Sequence, residues 1–108
     1  MKMVSPGTGG RVDFGFLERL AAGDEGLMRE VLEIFLAEAA GWSGRLQAAD
    51  PASAAEVIHT LKGSGRAIGA QILGDLCEDW EMGEFEGVEP ILGELAIVLA
   101  EVEAWLAA

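Results

Sequence analysis

Cations are scarce in this sequence. Its 108 residues hold seven Lys and Arg against nineteen Asp and Glu, a formal charge of -12, so a nucleic-acid backbone or an anionic lipid surface would be repelled over most of the molecule. Cysteine is nearly absent, and Cys77, the single copy, has no partner for an internal disulfide. No apolar run reaches the roughly 18 to 20 residues of a membrane span. The nearest, Ile91 to Ala108, is broken by Glu94, Glu101 and Glu103. The stretch from Met1 to Gly10 lacks the apolar core of a secretory signal. These shortages predict a cytoplasmic protein that binds neither nucleic acid nor membrane.

Hydrophobic residues are not in short supply. They make up 51% of the chain and charged residues 24%, with a mean hydropathy of +0.30, which excludes disorder over most of the length. The length suits one domain. Residues 1–11, rich in Gly, Ser and Pro, are expected to form a flexible tail, and 12–108 a single helical domain.

Apolar residues recur at helical spacing, and no segment alternates as a strand would. Asp13 is placed to cap a short helix carrying Phe14, Leu17 and Leu20 on one side and stopping at Gly23. Asp24 is placed to cap a longer one with Met28, Val31, Leu32, Phe35, Ala39, Trp42 and Leu46 facing a core; Gly41 and Gly44 in its second half suggest a close approach or a bend. Asp50-Pro51 restarts the chain as N-cap and first helical residue of a third helix running toward Arg66. A fourth, after Gly69, carries Leu73, Leu76, Cys77 and Trp80. The fifth, from Glu89-Pro90, carries Ile91, Leu92, Leu95, Val98, Leu99, Val102, Trp105 and Leu106. Short connections favour antiparallel neighbours, hence an all-α, antiparallel up-and-down four-helix bundle with a short extra N-terminal helix. Fifteen glycines are an excess, and Gly63, Gly65, Gly69 and Gly74 crowd the third and fourth helices, where each needs a reason.

At about 100° per residue, Ala54, Val57, Ile58, Leu61, Gly65 and Ile68 form a core arc opposite His59. The one histidine of the chain therefore points outward, among Ala55, Glu56, Lys62, Gly63 and Arg66. Lys62 and Arg66 predict a positive local field in an acidic chain, suited to an anion held at the imidazole. Gly63 leaves room for a second protein to come close. A largely neutral imidazole is a nucleophile near pH 7, so it can take up a phosphoryl group and pass it on. A solvated histidine with ordinary flanking charges fits the same spacing.

The string His59-Thr60-Leu61-Lys62-Gly63-Ser64, followed by Gly69-Ala70, Leu73, Cys77 and Glu81, resembles the histidine-containing phosphotransfer domain of multistep phosphorelays. The family's His, Leu, Lys, Gly, Ser, Gly-Ala, Leu, Cys and Glu are matched in order and spacing. Gly65 and Trp80 depart from it, standing where Ser or Ala and a smaller apolar residue are common. The resemblance implies that His59 is the phosphoacceptor, Lys62 the cation near the phosphoryl oxygens, and Glu81 the group that orients the imidazole. Ala55, Gly63 and Arg66 would meet the partner. It implies response-regulator receiver domains and a sensor or hybrid histidine kinase as partners, with a monomeric carrier between them. No cofactor and no metal is expected on this chain; the metal ion belongs to the receiver.

Other constellations have plainer readings. Asp75, Glu78, Asp79, Glu81, Glu84, Glu86 and Glu89 lack the spacing of a calcium loop and read as a solvated acidic rim. Cys77 and the three tryptophans read as packing. Gly63-Ser64-Gly65 lacks the spacing and preceding strand of a phosphate loop, so no autokinase activity is expected. Two functions of different class follow: a phosphocarrier that needs His59, and a helical module that docks receivers without being phosphorylated.

Overall fold

The computed structural model describes residues 10–48 and 50–108. Five helices follow in order: α1 (Phe14–Leu20), α2 (Glu25–Gln47), α3 (Pro51–Ala67), α4 (Gln71–Glu81) and α5 (Glu89–Ala107). Among the described residues there is no strand. The caps are those the sequence offers. Asp13 accepts from the backbone N–H of Phe16, Asp24 from that of Leu27, and Asp50 from that of Ala52, with Pro51 opening α3.

Helix α2, about 34 Å long at 1.5 Å per residue, packs against both α3 and α5; α3 packs on α4, and α4 on α5. The four therefore close a ring of contacts around one core. Its floor is Leu32, Ile58, Leu61, Leu73, Ile91, Leu95, Val98 and Val102, all buried, each contributing about 1.5–3 kcal/mol on leaving water. Phe35 and Trp42 add an edge-to-face pair at 5.4 Å. The predicted arc of α3 is buried in full, from Ala54 to Ile68.

Three local expectations are corrected. Leu20 is 65% exposed, because the buried side of α1 runs through Leu17 and on to Ala21; Ala22 and Gly23 then both take left-handed φ, 54° and 78°. Gly41 and Gly44 do not mark a close approach, since a Cβ at either would meet nothing within 4 Å. Arg11, placed by the sequence in the tail, is anchored. Residues 1–9 of that tail lie outside the described residues.

The anchor uses the acids that interrupt the apolar run of α5. The carboxylate of Glu101 accepts from the backbone N–H of Arg11 at 2.8 Å and of Val12 at 2.9 Å. Arg11 Nε lies 3.0 Å from Oε2 of Glu94, giving that buried carboxylate the ionic partner it requires. The N–H of Asp13 donates to the carbonyl of Gly69 at 2.9 Å. Gly69 has φ +86°, and a Cβ there would stand 2.7 Å from Asp13 O, so glycine is demanded twice over. At the far end of α5, Arg29 donates to the Leu106 carbonyl at 2.9 Å and lies 5.6 Å from the Trp105 ring, which stacks on Phe14 at 5.9 Å. A cation there suits the negative end of a helix dipole.

Replacing Glu101 by Ala strips two backbone donors of their acceptor. The expected cost is about 1–3 kcal/mol, read as a lower urea midpoint at unchanged slope. An unchanged midpoint would show that the clamp contributes nothing.

Candidate functional site

His59 stands midway along α3 on its outer side, with its side chain 74% exposed. The neighbouring helix α4 runs back along that side and brings its last residue, Glu81, to the ring. His59 Nδ1 is 3.0 Å from Glu81 Oε2, while Lys62 Nζ donates to Glu81 Oε1 at 2.7 Å. One carboxylate thus engages two side chains a turn apart on α3. The hydrogen bond from Lys62, and next that from His59, hold the Glu81 carboxyl below its ordinary range.

That ionisation fixes the tautomer. An ionised carboxylate has no proton to give, so Nδ1 is the donor and carries the hydrogen, which leaves the lone pair on Nε2. The arrangement is an exposed ring with one nitrogen held by a carboxylate and the lone pair on the other.

Lys62 is half-buried and Arg66 likewise, and neither is free. Arg66 Nη2 donates to Asp75 Oδ1 at 2.9 Å and to Glu78 Oε1 at 2.8 Å. The predicted positive field is corrected by these pairings: two fixed cations, Lys62 and Arg66, face three carboxylates, Glu81, Asp75 and Glu78. The acidic rim is correspondingly divided. Asp75, Glu78 and Glu81 bind α3 from the surface, and Asp79, Glu84, Glu86 and Glu89 are exposed beside them. Distance along the chain conceals this. Asp75 and Glu78 lie on the helix after Arg66, and only antiparallel packing of α3 and α4 brings them to it.

Ala55 and Gly63, four residues before and after His59, are both exposed, and a Cβ on Gly63 would meet nothing within 4 Å. They leave low ground on either side of the ring. Trp80, read as a core residue, is half-buried and lines a groove with Leu46, Pro51, Phe85 and Val88. Cys77 sits wholly inside. Burial and then the charge of Glu81 push its thiol up to about 12, which removes it as a nucleophile. Among the described residues no three His, Cys, Asp or Glu side chains gather to hold a metal, and no helix is long and apolar enough to cross a membrane.

Two outcomes follow. The Glu81 carboxyl is held down in the folded state, so its stabilising contribution is present above the ordinary carboxylate pKa and lost as pH falls through its lowered value. Thermal melts of wild type and Glu81→Gln should therefore differ at neutral pH and converge in acid, below the usual range near about 4; a gap independent of pH contradicts the pairing. Cys77 should resist an aromatic disulfide reagent in the native protein and react once denaturant unfolds it. Rapid native labelling would contradict its burial.

Comparison with known proteins places this arrangement. A model of the Hpt domain family matches residues 30–105, a span that contains every site residue named above. Among solved structures, the crystal structure of the histidine phosphotransferase ShpA from Caulobacter crescentus is similar at a TM-score of 0.82 and 38% sequence identity, covering 89% of this chain and 90% of that one. Among curated proteins none matches.

Proposed function

This chain belongs to the Hpt domain family and has a phosphotransfer role in phosphorelay signalling, within which we propose that His59 is the phosphoacceptor. The observation that carries the proposal is the exposed ring held at Nδ1 by Glu81, which leaves Nε2 as the nitrogen with the free lone pair. Nε2 attacks the phosphorus of a receiver's phosphoaspartate. The N–P bond forms as the P–O bond to the aspartyl carboxylate breaks, and the bonding pair leaves with that carboxylate. The neutral ring, keeping its Nδ1 hydrogen, becomes a cation, and the Glu81 carboxylate offsets that charge across the 3.0 Å hydrogen bond. The reverse step hands the group to the aspartate of a second receiver.

Lys62 lies in reach of the same carboxylate, which supports its role as the cation that shifts toward the phosphoryl oxygens once they arrive. Ala55 and Gly63 form the low ground on which a receiver seats, with Arg66 at its edge. Receiver domains and a sensor or hybrid histidine kinase are the partners. The receiver contributes the metal ion and the acids that surround it; this chain contributes a positioned nucleophile and no cofactor, acting as a monomeric carrier without a kinase activity of its own. The closed ring of α2 to α5 supports an antiparallel up-and-down bundle with α1 as the extra helix. A rigid bundle of this kind suits presentation of a group to successive partners in the cytoplasm.

The test mixes the protein with phosphorylated receiver domains and measures acid-labile phosphate on wild type and His59→Gln. Label on wild type alone, with binding retained by the variant, is expected. Equal label on both would contradict the assignment, and binding without label on either would make the protein a docking module.

A further inference from the structure

What the Glu81 carboxylate meets depends on how α4 sits against α3. Glu81 is the last residue of α4, an eleven-residue helix whose N-cap, Ala70, has no side-chain hydrogen bond. A helix this short is marginal alone; its last turn is closed by the N–H groups of Met82, Gly83 and Glu84 donating back to Glu78, Trp80 and Asp79, with Gly83 at φ +80°, but its placement on α3 is left to contacts between the helices. The Glu81 carboxylate meets two donors on α3 at 3.0 and 2.7 Å. Buried Leu73 and Cys77 seat α4 on the core, and a polar contact on its outer side helps set its rotation and register.

Such a contact lies two turns back. Gly74, inside α4, is buried, and a Cβ built there would stand 2.5 Å from Arg66 Cγ, 2.7 Å from Nε and 3.0 Å from Cδ. The side chain of Arg66 therefore lies flat on the bare backbone of α4. Arg66 Nε is buried without a hydrogen-bond partner. The guanidinium is held instead by Nη2, which donates to both Asp75 and Glu78, while Gln71 steadies Asp75 from the helix start at 2.9 Å. Along α3 the donors run His59, Lys62, Arg66; along α4, in the opposite direction, the acceptors run Glu81, Glu78, Asp75.

We infer that Arg66, seated on Gly74, is a positioning residue that fixes α4 against α3 so that the Glu81 carboxylate meets His59 Nδ1. The inference rests on the orienting role given to Glu81 above. It also supplies the reason for a glycine at position 74, where helix propensity argues against one: any side chain would lift the arm. Arg66 does not touch the reacting atoms and works through Glu81.

Nitrogen-proton NMR of the imidazole reports which ring nitrogen carries the hydrogen, a quantity that loss of stability alone does not alter in the folded population. Wild type should show Nδ1–H, and Glu81→Ala should lose that preference. Arg66→Ala should move toward the Glu81→Ala pattern, with Arg66→Lys between it and wild type, because one ammonium cannot reproduce the arm lying across α4. Gly74→Ala is the decisive variant. It keeps every charge, improves helix propensity and presses first on the arm, so it should fold with native helix content yet shift the ring toward the Glu81→Ala signature, with a severalfold slower phosphoryl transfer. If Glu81→Ala loses the Nδ1–H preference while Arg66→Ala and Gly74→Ala keep it, the positioning role is overturned and the orienting role of Glu81 survives. If Glu81→Ala itself keeps the wild-type signature, both fall.

Discussion

Two donors on one helix share a single carboxylate from another, and the chemistry of the site depends on that sharing. Lys62 holds the carboxyl of Glu81, an acid ionised at neutral pH, further below its ordinary range. The ionised group can only accept, which assigns the hydrogen of His59 to Nδ1 and the lone pair to Nε2. Remove either half and the other changes meaning: without Lys62 the carboxyl titrates higher, and without Glu81 the ring is a solvated histidine of no fixed tautomer. The exposure of His59 supplies access, but orientation comes from behind it.

Orientation of this kind requires that two helices from separate stretches of sequence hold their register to within a hydrogen bond. The means are small residues at the turn joining α3 and α4. Gly65 is buried where a Cβ would press on Leu73 at 3.3 Å, Gly69 takes the left-handed conformation that lets the chain reverse against Asp13, and Gly74 accepts the arm of Arg66. Each costs intrinsic helix stability of up to about 1 kcal/mol within a helix. Close packing of the two helices offsets that cost. The N-terminal anchor through Glu94 and Glu101 reaches the same turn through Asp13 and Gly69.

Periodic and local features were legible in the sequence. Aspartate caps, the restart at Asp50-Pro51, the buried arc of α3 and the outward histidine follow from spacing and short-range physics, and the structure places each where expected. Pairings across helices were not. The acids of α4 read as a solvated rim because nothing in their spacing reveals Arg66 and Lys62 opposite them. Glu94 and Glu101 read as interruptions of an apolar run, although their separation of seven residues puts them on one face of α5, where they receive Arg11 and the backbone beside it. The positive field expected around His59 failed for the same reason: charge was counted along one helix, and its neighbour supplies the compensation.

The resulting picture is a family member in which the packing of α4 on α3 brings one carboxylate to a ring nitrogen of an exposed histidine. The most direct measurement is the point of attachment. Phosphorylated protein carrying isotope-labelled histidine should show by phosphorus-nitrogen NMR a single phosphoryl group on Nε2 of His59, with Nδ1 still bonded to hydrogen. A phosphoryl group on Nδ1, or on any other residue, would contradict the account.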